Sequence, residues 1–215
     1  MRKLAVKDLG CMRGGRPVYR GLNFSAQAGQ IIALRGPNGS GKTTILRVLA
    51  GLLEPVRGNI AIDENNRNIF PYLQPQEFAW IAHGNGIKRE LTAIENLEFL
   101  AALMPNGQAD KIDEAIESLG LSDVAHKEAR LYSAGQMRRL ALCRLIMCPA
   151  PLWLMDEPLN ALDQNGRTML KDMIMRHVAK DGLVIMADHE GFLEDIAHNL
   201  DMAPFAISAK EGWKK

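Results

Sequence analysis

The chain has 215 residues, 47% hydrophobic and 24% charged, with a net charge of +1. That length suits one large domain, or one domain with an inserted lobe, and the balance excludes a disordered or fibrous chain. So small a net charge also argues against a broad electrostatic footprint for nucleic acid or anionic lipid.

Taken in chain order, the opening MRKLAVKDLG has no apolar core of a secretory signal. Residues 3–8 and 22–27 are predicted strands, with Gly14–Pro17 (GGRP) turning between strand segments. QIIALRG is a continuous apolar run ending at Gly36, as a buried strand requires, and the spacing of Ile45, Leu46, Leu49, Leu52 and Leu53 predicts a helix after it. A turn and another strand follow in EPVRGNIAID, and a further strand ends near Ala82. From about Thr92 to Leu121 the pattern is helical, broken at Pro105-Asn106-Gly107, and this stretch is the candidate for a helical lobe. A helix is predicted over about 134–147, a strand at PLWLMDE, a helix over about 162–178 and a strand at LVIMAD. Strands alternating with helices imply a parallel sheet covered on both faces. The three cysteines are too few for a disulfide framework, and Cys143 and Cys148 read as reduced core thiols. Most of the eleven methionines read as core filling. No run of about eighteen apolar residues escapes interruption by charge, so a cytoplasmic chain is expected, with any membrane role supplied by a partner. The lysines at the carboxyl end read as a solvated tail.

Chemistry concentrates at a few places. Gly36-Pro37-Asn38-Gly39-Ser40-Gly41-Lys42-Thr43 fits G-x-x-x-x-G-K-[ST] between a strand and a helix, and the stretch Gly36 to Thr44 is a candidate nucleotide-phosphate site. Its glycines let backbone N–H groups curl around an anion, and the helix N-terminus adds its dipole. Lys42 would reach the β and γ phosphates, and the Thr43 hydroxyl would ligate Mg²⁺. Asp156 ends an apolar strand, where it could serve as the metal's second partner, and Glu157 beside it could act as a general base toward water. His189 also follows an apolar strand; it could bond the γ-phosphate or the attacking water, or lie in a solvated loop. Ser133-Ala134-Gly135-Gln136, about ninety positions after the phosphate loop, has the local look of a helix N-cap at Ser133.

In this order the phosphate loop, helical lobe, YSAGQ, Asp156-Glu157, Asn160–Asp163 (NALD) and His189 resemble the ATP-binding cassette (ABC) family over nearly the whole chain. The resemblance implies a single α/β cassette over residues 1–215, with a mostly parallel sheet core, an N-terminal antiparallel β part and a helical lobe near 90–147. It implies ATP and Mg²⁺ as cofactors and a homodimer with a second cassette. In that dimer Ser133, Ala134, Gly135 and Gln136 close in trans on the partner's ATP, and Asp163 lies on the seam. A narrower likeness, in His83–Leu100 and YSAGQMRRLALCRL, is to ATPase subunits of cytochrome c maturation systems. It implies integral-membrane permease partners at the cytoplasmic face of the inner membrane, haem handling and no nucleic acid. Two positions depart from the family: Arg13 stands where an aromatic residue stacks on adenine, and Gly84 where a glutamine touches Mg²⁺ and couples to the membrane partner. Asn85 is a candidate substitute for that glutamine. A cassette acting on ribosomes or DNA fits less well, because the chain lacks a second cassette and a strong charge. A subunit that binds ATP but hydrolyses it poorly is the alternative that Gly84 keeps open.

Overall fold

The computed structural model describes residues 3–63 and 71–207, so the lysines of the expected tail lie outside the described residues. In chain order the elements are β1 (Lys3–Arg13), β2 (Arg16–Gln27), β3 (Ile31–Arg35), α1 (Lys42–Leu49), β4 (Arg57–Ile62), β5 (Phe78–Ile81), α2 (Ala93–Leu103), α3 (Ile112–Ser118), α4 (Ala134–Leu142), α5 (Arg144–Met147), β6 (Leu152–Asp156), α6 (Gln164–Val178), β7 (Leu183–Ala187) and β8 (His198–Asp201). Strands β2, β1 and β4 form one antiparallel sheet, and β5, β6, β7, β3 and β8 pair in that order, all parallel, in a second.

The parallel sheet forms because β6 and β7 are buried along their whole length, which requires apolar side chains on both faces. Successive residues point to opposite faces. Leu152 and Leu154 therefore join a core with α1 and the antiparallel sheet, while Trp153 and Met155 join the core beneath α6 and the helical lobe. Met147, Met155, Met173, Met186 and Met202 are all buried, as the filling role requires, and so are the free thiols of Cys11, Cys143 and Cys148. Removing the Leu154 side chain to Ala would cost about 2–5 kcal/mol, since no solvent reaches it.

Three differences from the sequence expectation have local causes. Strands β1 and β2 are longer than predicted because register shifts after Val6, Leu9 and Cys11 interrupt the two-residue alternation. Strand β8 was not anticipated; it is a short edge strand, mostly exposed, with only Leu200 packing inward. The helix expected over 134–147 is two helices. At the break the Cys143 N–H donates to Leu140 O at 3.2 Å, and the Cys143 thiol sits 3.6 Å from Arg139 O, the acceptor a continuous helix would use.

In the lobe, Thr92 and Glu95 form a reciprocal cap that starts α2. The buried Asn96 amide then accepts from Lys88 N at 2.8 Å and donates to Lys88 O at 3.0 Å and Thr92 O at 2.8 Å, fixing the loop ahead of α2. At the far end of the sheet the His177 ring stacks on Trp153 at 3.9 Å. A Cβ at Gly182 would lie 2.3 Å from that ring, so the chain needs glycine there.

Candidate active site

Ligands of open α/β sheets bind at the carboxyl ends of the strands. Here β5, β6, β7 and β3 are neighbours, so the segments after them come together: Ala82–Asn85, Asp156–Glu157, Asp188–His189 and Gly36–Gly41. A cleft of about 230 Å³ is lined by Asn38, Gly39, Gly41, Lys42, Thr43, Thr44, Glu157 and His189, with Arg13 and Val18 at one side.

The phosphate loop is shaped by what lies behind it. Gly41 has φ +99° and stands where a Cβ would meet the ring of Tyr19 at 2.7 Å, so a side chain there fails on both counts. Gly41 caps α1 without a side-chain hydrogen bond, and the first turn carries no acidic residue, leaving its N–H groups available to an anion. The nearly buried Lys42 folds back along the loop, its Nζ donating to Gly36 O at 2.7 Å and Pro37 O at 3.0 Å. Burial pushes this ammonium below its ordinary pKa, opposed by the charges of Glu157 and Asp156.

Asp156 is 2% exposed, and burial raises its pKa against the opposing bond from Thr43, whose Oγ1 donates to Oδ1 at 2.9 Å. A buried carboxylate beside a hydroxyl is a hard-oxygen pair suited to Mg²⁺, which binds through one or two protein groups and substrate phosphates rather than a protein cage. Among the described residues no group of three or more His, Cys, Asp or Glu could hold a metal ion. Glu157 sits in the left-handed region at φ 49°, a strained conformation for a residue with a Cβ. Its Oε2 accepts from Asn160 Nδ2 at 2.8 Å and lies 3.2 Å from His83 Nδ1; its Oε1 lies 3.3 Å from His189 Nε2. The Asn160 bond, with His83 and His189, holds this carboxyl below its usual range despite partial burial.

The YSAGQ segment, the family's signature motif by that resemblance, lies elsewhere. Ser133 caps α4, its Oγ accepting from Gln136 N at 3.1 Å while Gln136 Oε1 accepts from Ser133 N at 2.9 Å. Gly135 packs against the 160–163 turn so closely that a Cβ would lie 3.0 Å from Ala161 O. Ala134 is the first residue of α4, and Asp163 caps α6 through Gly166 N at 2.7 Å. None of Ser133, Ala134, Gly135 and Gln136 lines the phosphate cleft of its own chain.

One residue of this neighbourhood was missed in the sequence. Arg138 is 2% exposed, and its guanidinium donates to Pro158 O at 3.1 Å, Ala82 O at 2.8 Å, Asn85 Oδ1 at 3.1 Å, Asp156 O at 3.3 Å and Glu157 O at 2.8 Å. It ties the signature helix to the acidic strand end and to the loop after β5. Its spacing with Ala141, Leu142 and Leu145 puts it on the inward face, a signal that was present but masked by a basic neighbour, Arg139. Asn85, the candidate substitute for glutamine, spends its carbonyl on Arg138, and Gly84 has no atom within 4 Å of its Cβ position.

Residues 19–160 match the ABC transporter family. Curated relatives include the cytochrome c biogenesis ATP-binding export protein CcmA of Paramagnetospirillum magneticum, 39% identical over 95% of this chain and 95% of that one. The protein of the same name in Bradyrhizobium diazoefficiens is 41% identical over 87% of this chain and 92% of that one. Among solved structures, a putative ABC transporter ATP-binding protein from Pyrococcus furiosus superimposes with a TM-score of 0.79 over 95% of this chain and all of that one; at 23% identity it speaks to the fold alone.

Proposed function

The chain belongs to the ABC transporter family, and from that premise we propose that it is the ATP-hydrolysing subunit of a complex that energises an integral-membrane partner in c-type cytochrome biogenesis, with haem handling as its task. The observation that carries the ATPase reading is the convergence of Lys42, Thr43, Asp156, Glu157 and His189 on one cleft, with the signature capped and ordered outside it. The biogenesis role is supported by the names of relatives that match nearly end to end.

In this reading Gly36–Thr44 wraps the phosphates of ATP, and Lys42 exchanges its carbonyl partners for β and γ oxygens. Thr43 and Asp156 would hold Mg²⁺, which neutralises charge developing on the phosphates. Glu157, kept ionised by Asn160 and its two histidine neighbours, takes a proton from the water that attacks the γ-phosphorus. The bond to the β–γ bridging oxygen breaks, and ADP and phosphate leave. His189 lines the same cleft with Nε2 3.3 Å from Glu157 Oε1, from where it would turn to donate to the γ-phosphate. Because Ser133–Gln136 stand apart from their own chain's cleft, a second copy supplies them, with Asp163 on the seam, and the working unit is a homodimer.

No helix among the described residues is long and apolar enough to cross a membrane; in this reading an integral-membrane partner holds the chain at the cytoplasmic face of the inner membrane. A groove of about 240 Å³ between the loop after β5 and α2 offers the seat, lined by Trp80, Gly84, Phe99, Leu103 and Arg144. Phe99 and Leu103 are 49% and 66% exposed there, an apolar wall that an amphipathic segment of the permease would cover. Glu157→Gln tests the hydrolytic reading: the variant should bind ATP, stop turning over and accumulate as a dimer on gel filtration. Turnover at the wild-type rate would remove Glu157 from the role of base. Co-purification of the tagged chain from membranes, with and without Phe99→Glu, tests the partner, and equal capture by both would refute the groove as its seat.

A further inference from the structure

The loop after β5 lacks a glutamine at position 84, yet it still reaches the acidic strand end. Of His83, Gly84 and Asn85, the glycine offers no side chain and Asn85 is bonded to Arg138. His83 alone of the three touches Glu157, with Nδ1 3.2 Å from Oε2. Arg138 Nη1 holds the main chain just before it at Ala82 O and the side chain of Asn85 just after it at Oδ1. Gly84 and Asn85 in turn form part of the groove beside α2. His83 is therefore fixed at its base, free at its ring, and set between that groove and the carboxylate.

We propose that His83 is a positioning residue for Glu157, holding the carboxylate from the loop after β5. Its Nδ1 lies 3.2 Å from Oε2, the oxygen that also accepts from the Asn160 amide, and these two contacts leave Oε1 facing His189 and the phosphate cleft. The ring is 67% exposed, so the contact is not locked by packing and follows any displacement of the loop that forms the groove. The inference rests on Glu157 as the base, and the experiment separates the two claims.

In the purified full-length chain, His83→Ala should lower kcat about tenfold, the worth of one hydrogen bond to a charged group, while fluorescent ATP analogue binding stays within twofold. His83→Asn, whose Nδ2 falls near the Nδ1 position, should restore most of the loss, whereas His83→Gln, one carbon longer, should not. Adding His83→Ala to Glu157→Gln should change the residual rate no further, because both act at one carboxylate. Independently of turnover, the ring-nitrogen resonances of His83 should report a proton on Nδ1 and shift in Glu157→Gln. Wild-type kcat in His83→Ala, equal impairment of the Asn and Ala variants, or a ring protonated only on Nε2 would each overturn the proposal. Failure of Glu157→Gln to abolish turnover would instead sink the base assignment.

Discussion

Replacing Arg138 with methionine keeps the apolar length of the side chain and deletes a guanidinium that makes five hydrogen bonds. The cost follows from where the acceptors lie. The bonds to Ala82, Asn85 and Glu157 are only partly buried, so water can replace the donor there, but those to Pro158 O and Asp156 O are buried. Two stranded carbonyls at about 1–3 kcal/mol each predict a loss of about 2–5 kcal/mol after some relaxation. Against a total stability of about 5–15 kcal/mol, that is a large shift in the urea midpoint at an unchanged m-value. Arg138→Lys should recover little of it, because one ammonium cannot span four carbonyls and an amide. Turnover should fall further than ATP affinity, since the guanidinium holds the main chain of Glu157 rather than the phosphate loop. A methionine variant within 0.5 kcal/mol of wild type would show that the network is replaceable by packing, and the reasoning would fail.

Mixing Ser133→Arg with Lys42→Ala homodimers tests the trans arrangement: each parent should be inactive, and random pairing at equal amounts should leave roughly a quarter of all composite sites intact. Trapped ATP absent from a verified mixed dimer would refute it. Gly84→Gln should fold normally, because the Cβ position is open, and should raise ATPase activity or lower its Mg²⁺ requirement; no change in either would mean the loop works without that side chain. Burial pushes the His177 ring down to about 4 from an ordinary 6.5. The unfolded chain therefore binds the proton more readily, so this contribution is complete above about pH 6.5 and is lost as pH falls toward 4. The slope amounts to on the order of 3 kcal/mol and should disappear in His177→Asn by denaturant titration across that range. An unchanged slope would place the acid sensitivity elsewhere.

The parts that could be read in advance are those whose cause is local. LWLMD and LVIMA are continuous apolar runs because both faces are covered, and Ser133 with Gln136 is a cap written within four residues. What escaped depends on neighbours distant in the chain. HNLD pairs with β3 as a short edge strand and carries little apolar signal, and the thiol at the break between α4 and α5 looks like any small core residue in a helical run. In the candidate site, the strand ends announced Asp156, Glu157 and His189. The carbonyls that Arg138 reaches, and which of His83, Gly84 and Asn85 meets the carboxylate, required the fold. The match to relatives did not supply those contacts either, since they join loops that share no motif.

The strand order carries a consequence for biosynthesis. Strand β7 lies between β6 and β3, so the strand leading to Glu157 and the strand leading to the phosphate loop share no ladder hydrogen bonds and are joined in the sheet only through β7. A ribosome exposes the loop early and β7 near the end. Before β7 is made, β3 has no partner in the parallel sheet and β5 can pair only with β6, so no sheet yet joins the phosphate loop to Asp156. On this topology ATP is expected to stabilise the sheet after it has closed, and the long-range insertion of β7 is expected to be its slow, aggregation-exposed step.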